Sequence, residues 1–379
     1  MSKPKILVTG ATGKTGVSTT LGLLEKGFPV RALVRKIDAR AERLRAGGAE
    51  IVVGSLESYR DLEVAMNGVV RAYFCPPLEP GTLRRAALFV VAAQEAKLEA
   101  VVQLSQWVAD AVHPAVHARE KWLTSRVLSW APHIGVITIQ PGWFADNYFA
   151  VMGQAAQFGL FGLPLGQGLN APPSNEDIAR VIVACLVNPA PHIGKAYRPT
   201  GPRLLAPNGI AEAMGQALNR RVRYQDVPLP MFLKAASSLG ISEFVVSQLY
   251  WFLQDYQGNA FGLGAPTGVV EEIAGSAPED FASTAKRYVT ASPAAVRGLT
   301  GALREVSGLL AALLARKPDV SRIEARLGAP HIDGYALAKE SSGWMATHAW
   351  PGRSPNELAD PSARGLINQS SPSSSLMRR

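Results

Sequence analysis

Three glycines spaced three apart, Gly10, Gly13 and Gly16, lie in the stretch KILVTGATGKTGVSTTLGLLEKG, Lys5 to Gly27. Ile6, Leu7 and Val8 before them form a short apolar run of the kind that fills a strand buried on both faces, and an amphipathic helical pattern after them reaches about Lys26. At such a strand-to-helix turn the chemistry belongs to the backbone. Gly10 permits the sharp turn, Gly13 lets the chain approach a pyrophosphate, and Gly16 lets the helix lie close to the strand. The helix N-terminus then offers free N–H groups and a partial positive charge to the anion. An ordinary strand-to-helix turn is the bland alternative, but the strand and helix stand where dinucleotide binding requires them. A mononucleotide loop of the Walker kind is disfavoured by spacing, because Lys14-Thr15 follows Gly13 without the longer Gly-x-x-x-x-Gly-Lys run. Thr12, Lys14 and Thr15 join the glycines as nucleotide-binding candidates.

The end of the second predicted strand chooses between dinucleotides. An acidic side chain there holds a ribose 2′-OH, whereas this chain offers Arg35 and Lys36. A guanidinium pairs bidentately with a 2′-phosphate, so NADP(H) is expected over NAD(H), with Asp38 close enough to be a displaced acidic partner. After the third strand Ser55 and Leu56 are placed near the adenine. After the fourth, Cys75, Pro76 and Pro77 make a stiff turn along the ribose, unless the prolines only break a loop. Pro141, the first residue past the sixth strand, is a further cofactor candidate.

These positions depend on a repeating frame. PVRALVR (Pro29 to Arg35), AEIVVG (Ala49 to Gly54), VVRAYFC (Val69 to Cys75), EAVVQLS (Glu99 to Ser105) and IGVITIQ (Ile134 to Gln140) read as strands separated by helical patterns. Strands alternating with helices give an α/β, doubly wound parallel Rossmann sheet with right-handed crossovers, and its ligand lies at the carboxyl ends of the strands. Residues 1–140 are expected to form this core, with 174–202 returning to it. Residues 141–173 and 203–292 would form a smaller, mainly helical substrate subdomain, followed by a helical extension over 293–350 and a disordered tail over 351–379.

Composition sets the bounds. The chain has 379 residues and only two cysteines, so it can bury a large core and carries no disulfide framework. The N-terminus enters a strand with no signal-peptide pattern, and a cytoplasmic location is expected. The net charge of +9 raises nucleic acid as a partner, yet no basic run with interleaved aromatics and no nucleic-acid motif is present. A basic surface that attracts anionic cofactors is the preferred reading.

VTGATGKTG, RALVR, PGWFADNYF (Pro141 to Phe149), SNEDIARVIVACL (Ser174 to Leu186) and GKAYRPTGP (Gly194 to Pro202), in this order and spacing, resemble the NmrA-like branch of the atypical short-chain dehydrogenases/reductases. A weaker likeness runs through GSAPEDFASTAKRYV, Gly275 to Val289, so the resemblance covers about the first three quarters of the chain. It implies an NADP-binding Rossmann domain with a small C-terminal subdomain forming a cleft over the nicotinamide. Some members reduce quinones, enones or imines; others bind the nucleotide and regulate partners without known turnover.

Short-chain dehydrogenases generally place a tyrosine and a lysine one helical turn apart, to deliver a proton and to hold the nicotinamide ribose. Here the helix after Ser105 reads HPAVHAREKWLTSRVLSW, which puts His117 and Lys121 at that spacing with no tyrosine. Lys121 is the candidate ribose holder and His117 a candidate proton donor. Their bland readings are a surface lysine and a histidine that caps or solvates an exposed helix end. Ser105, closing the fifth strand, stands at nicotinamide depth or serves as a helix cap. Hydride transfer needs no protein nucleophile, so the absent tyrosine does not exclude catalysis.

The substrate side is aromatic. Trp143, Phe144, Tyr148 and Phe149 follow the sixth strand, and Gln154 to Pro173 reads as a Gly/Pro-rich loop of the kind that covers a cleft. A flat, mostly apolar small molecule such as a quinone, enone or cyclic imine would suit these residues. Phe232, Phe244, Tyr250, Trp251 and Phe252 are mostly expected in the core. Ala294 to Lys317 reads as a long helix with a broad apolar face. Arg297, Arg304 and Glu305 interrupt it, and its apolar run is too short to cross a bilayer. It could cover the Rossmann domain, pair with a second subunit in a homodimer, or lie on a membrane surface. Two readings of function stand: an NADPH-dependent reductase of a small carbonyl, quinone, enone or imine, and an NADP(H)-binding regulatory sensor without turnover.

Overall fold

A computed structural model describes residues 3–331 and 333–348; the expected tail, 351–379, lies outside the described residues. The predicted alternation is present. It runs β1 Ile6–Val8, α1 Lys14–Glu25, β2 Val30–Val34, α2 Ala39–Ala46, β3 Glu50–Val53, α3 Tyr59–Met66 and β4 Arg71–Phe74. It continues through α4 Thr82–Glu95, β5 Ala100–Leu104, α5 Val116–Ser129 and β6 Gly135–Ile139. The sheet has seven parallel strands in the order β3-β2-β1-β4-β5-β6-β8, the last being Ala196–Tyr197, which pairs with β6 at Thr138 and Ile139. β1, β2, β4 and β5 are almost wholly buried; β1, β2 and β5 are rich in Val, Leu and Ile, as a strand covered on both faces must be, and β4 fills the same place with Ala72, Tyr73 and Phe74. One apolar cluster lies under α1, α2 and α7 (Asn175–Val187), and another lies under α3, α4 and the far side of β4 and β5.

The Gly/Pro-rich stretch 154–173 is not only a loop. It holds most of α6 Met152–Phe158 and all of β7 Leu160–Leu163, which pairs in parallel with β9 Arg223–Asp226 to form a second, two-stranded sheet. Gly159, with φ +70°, ends α6 in the left-handed region and turns the chain into β7. α8 Pro207–Ala217, α9 Leu229–Ser238, α10 Glu243–Gln257 and α12 Phe281–Ala291 continue the smaller, helical part, whereas α11 Val269–Ala274 packs on α7 and the Rossmann core. Phe244 and Phe252 are buried as expected; Phe232, Tyr250 and Trp251 are only partly so.

The helix expected over Ala294–Lys317 is shorter. Pro293 opens an isolated turn, and α13 begins only at Leu299 and ends at Leu314. It packs on α9 and α6 rather than on the Rossmann sheet. α14 Val320–Arg326 and α15 Ser342–His348 follow, and no described helix is long and apolar enough to cross a membrane.

Candidate nucleotide site and adjoining aromatic wall

Gly10 adopts φ +59°, and a Cβ there would lie 2.7 Å from the Cys75 carbonyl oxygen, so both conformation and space demand glycine. A Cβ at Gly16 would overlap the Gly10 carbonyl, which fixes how closely α1 approaches the loop. Gly13 differs. An added Cβ would have only the Gly10 carbonyl oxygen within 4 Å, at 3.1 Å, leaving the outer side of this residue free of protein atoms. Gly13 is also the N-cap of α1, with no side-chain cap and no acidic residue in the first turn. The first N–H groups of α1 are thus left for an external acceptor, and the residues fit a dinucleotide pyrophosphate.

The strand ends around this loop are locked together. The Thr9 hydroxyl donates to the Tyr73 carbonyl at 3.0 Å and accepts from the Cys75 N–H at 2.8 Å. Thr15 Oγ1 lies 3.0 Å from the Tyr73 hydroxyl, and burial foremost, with Cys75 beside it, pushes that phenol well above its ordinary pKa. Thr12 is half-buried in the turn, and Lys14 forms an ion pair with Asp146, a buried carboxylate whose Oδ1 has no partner among the described residues. Tyr73 and Asp146 were not anticipated from the sequence. Tyr73 is hidden in an apolar strand run, while Asp146 stood in view as the one acid among the aromatics of PGWFADNYF.

Arg35 and Lys36 are exposed just past β2, and Arg35 Nη1 lies 3.3 Å from Glu79. Asp38 serves the fold instead of a ribose, capping α2 through the Arg40 and Ala41 N–H groups and pairing with the Arg40 side chain. The Arg40 hydrogen bond first, then that of Ala41, brings its carboxyl down to about 2. Ser55 is engaged in the turn after β3, donating its N–H to Asp61 and accepting from the Glu57 N–H, while Leu56 packs on the core beneath. Cys75 is a half-buried free thiol and Pro76 is buried. Arg35→Ala is expected to weaken NADPH binding about 10-fold more than NADH binding, because only a 2′-phosphate loses a charge-assisted contact of about 1.5 kcal/mol. Titrating both nucleotides against both proteins checks this; equal weakening would remove the 2′-phosphate from the site.

The bland readings of Lys121 and His117 as exposed residues are corrected, because both side chains are buried. α5 is enclosed by α4 on one side, and Gln248 of α10 accepts the His117 N–H at 2.9 Å on another. Lys121 Nζ donates to the Leu104 carbonyl at 2.7 Å, and burial lowers its pKa to about 8. One residue on, the Ser105 hydroxyl is buried with no partner among the described residues, its N–H taken by the Ile139 carbonyl at 2.7 Å. Lys121, through the Leu104 carbonyl, and Ser105 therefore both stand at the end of β5. His117 is held differently, with Nδ1 3.4 Å from the Thr82 hydroxyl and its ring edge-on to Phe244. Burial, then Lys121 and Arg85, keep it neutral well below the ordinary histidine range.

The aromatic residues after β6 divide. Trp143 packs towards the core of the helical part, edge-on to Tyr256 and Phe261, whereas Phe144 packs on the Rossmann core. Tyr148 is fully buried and its hydroxyl is occupied by Tyr256 and Asn170, both at 2.8 Å, so it sits inside the helical core. Pro141 is buried, and its carbonyl accepts the Trp107 N–H at 3.0 Å. Residues 336–348 return to this place: Trp344 Nε1 donates to the Trp107 carbonyl at 2.9 Å, and the His348 ring stacks on Trp344 at 3.9 Å. Around Trp107, Gln106 Nε2, Gln140 Oε1, Trp143 Nε1, Arg198 Nε and His348 Nε2 are buried polar atoms without partners among the described residues. Ser105, Gln106, Gln140, Trp143 and Arg198 stand on the loops after β5, β6 and β8, where a doubly wound sheet receives its ligand, and His348 reaches them from α15.

Residues 2–117 match the model of the NmrA-like family. The NAD(P)H azoreductase of Xenophilus azovorans is 28% identical over 309 residues, covering 76% of this chain and all of that protein. The crystal structure of an NADPH-dependent quinone oxidoreductase from Escherichia coli, complexed with NADPH, superposes with a TM-score of 0.65 at 24% identity, covering 74% of this chain and 99% of that one. The negative transcriptional regulator NmrA in complex with NADP superposes with a TM-score of 0.63 at 17% identity, covering 76% and 95%.

Proposed function

We propose, for a chain whose residues 2–117 match the NmrA-like family, that the protein is an NADPH-dependent reductase of a small, planar, mostly apolar acceptor. The azoreductase and quinone oxidoreductase likenesses support reduction of an azo compound or quinone, and an enone or imine has the same flat, apolar shape. The observation that carries the reading is Lys121, a buried ammonium held at the end of β5 beside the unpartnered hydroxyl of Ser105. Burying an ammonium is costly, and a ligand hydroxyl would give it a purpose that the fold does not require.

Gly13 and the first turn of α1 would hold the pyrophosphate, Arg35 and Lys36 the 2′-phosphate, and Ser55 with Leu56 the adenine end. Cys75 and Pro76 would line the ribose, Lys121 would hold the nicotinamide ribose, and Ser105 and Pro141 would flank the nicotinamide. When bound there, NADPH supplies the hydride. The chain's own work is to orient the two reactants and exclude water, with Trp143 and Trp107 as apolar walls. With a pKa near 8, Lys121 carries a proton at pH 7 and can supply the one that the reduced acceptor takes up. Purified protein given NADPH and a panel of quinones, enones, imines and azo compounds should oxidise the nucleotide with at least one. No oxidation across the panel, with nucleotide binding intact, would sink the reading.

One observation favours the second reading, a nucleotide sensor without turnover. No tyrosine stands four residues before Lys121, and the Tyr148 hydroxyl is already committed to Tyr256 and Asn170. The NmrA regulator has the same fold, so architecture alone does not separate the two.

A further inference from the structure

α13 is built inside out. Its bulky residues Leu299, Leu303, Val306, Leu310, Leu313 and Leu314 face outwards, with Leu299 85% and Leu314 87% exposed. Towards α6 and α9 it turns small residues instead: Ala312 is buried, and Gly301 sits against Gln157. The helix is held in this orientation by specific contacts. The Gly298 N–H donates to Gln157 Oε1 at 3.1 Å, Gln157 Nε2 donates to the Val296 carbonyl at 2.8 Å, and Lys234 Nζ donates to the Leu313 carbonyl at 2.7 Å. Leu239, at the end of the α9 on which α13 packs, is also 74% exposed. An apolar face this wide on a water-facing surface marks an interaction site.

Charge identifies the partner. Between Pro293 and Lys317 the cations are Arg297, Arg304, Arg316 and Lys317, all exposed. The one acid, Glu305, is turned inwards against Gly153, with Arg304 reaching back to it at 3.3 Å. Within 293–317 the outer face is therefore leucine, with exposed cations at both ends and its one acid turned inwards; Asp319 lies just past Lys317. Two copies meeting there would oppose like charges, whereas an anionic bilayer surface offers both an apolar layer and negative head groups. The sequence beyond the described residues, 349–379, is rich in Ser, Pro and Arg and poor in bulky apolar side chains, so it is a weak complement to this face. We propose that α13 and the end of α9 form a docking surface for anionic membrane lipid, on which the protein lies without spanning the bilayer.

Vesicle flotation tests this with the full chain. Wild type should float with phosphatidylglycerol–phosphatidylcholine vesicles and bind pure phosphatidylcholine at least about 10-fold more weakly, with binding to the mixed vesicles falling as salt rises. Leu303→Glu with Leu310→Glu should lower binding to the mixed vesicles by about 10-fold or more, because charges replace the inserted leucines. Both positions are exposed, so an unchanged thermal midpoint and unchanged nucleotide binding are expected. If that variant misfolds, Arg297→Glu with Arg316→Glu takes its place, with the same loss expected. No flotation, flotation indifferent to lipid charge, or variants that bind like wild type would each overturn the proposal. So would a dimer in sedimentation that the leucine variant dissociates, since a second copy would then own the face.

Discussion

Gly13→Val is expected to abolish binding of NADPH and NADH alike while the protein keeps its fold. The protein accommodates the change with a small shift, since an added Cβ meets the Gly10 carbonyl oxygen at 3.1 Å, a close contact relieved by a few tenths of an ångström. The proposed pyrophosphate does not, because the new side chain would stand between it and the first N–H groups of α1. Losing two charge-assisted hydrogen bonds costs about 3 kcal/mol at the low end, or about 100-fold in affinity. Calorimetric titration with both nucleotides, beside a circular dichroism melt, separates lost binding from lost structure. Gly10→Val provides the contrast: strained at φ +59° and pressed on the Cys75 carbonyl, it should melt earlier as well. Tight nucleotide binding by Gly13→Val would move the site elsewhere.

Lys121→Met is expected to slow acceptor-dependent NADPH oxidation by about 100-fold, the loss that accompanies a misplacement of roughly 1 Å at the reacting centre. Wild-type turnover should also fall as pH rises through about 8, where Lys121 loses its proton, and the variant should lack that step. Stability gives a second readout. Burial lowers the Lys121 pKa from 10.5 to about 8, so between those values the unfolded chain binds more protons than the folded one and wild-type stability rises with pH. Below pH 8 the buried charge carries its full penalty, on the order of 3 kcal/mol. The methionine variant should therefore exceed wild type in urea unfolding at pH 7, with the advantage shrinking towards pH 10.5. A structural lysine would reproduce the stability trend without the activity loss.

The sheet was legible because each of its longer strands is a compact run of apolar residues bounded by turn chemistry, and Gly10, Gly13 and Gly16 mark the first crossover. What stayed hidden depends on distant packing. Nothing local to HAREK says that Thr82 and Gln248 will close over His117, or that Lys121 will reach back to the Leu104 carbonyl. Asp38 looked like a possible ribose ligand from its distance to β2 alone; its hydrogen bonds to the Arg40 and Ala41 N–H groups make it a cap. The glycines and prolines of 154–173 suggested an irregular loop. The β7 pairing inside it is made with residues 223–226, some 60 positions later, and period-two alternation is too short there to announce it. The return of Trp344 to the Trp107 carbonyl left no periodic trace.

A single turnover tests the central claim most directly. Protein in excess over NADPH, with deuterium in turn at each of the two C4 positions, is mixed with an active quinone or enone while the nicotinamide absorbance is followed. An orienting site at Lys121 and Ser105 predicts acceptor-dependent loss of that absorbance, slowed by deuterium at one C4 position and not at the other. Saturated NADPH binding with no acceptor-dependent oxidation would contradict the account and leave a nucleotide sensor in its place.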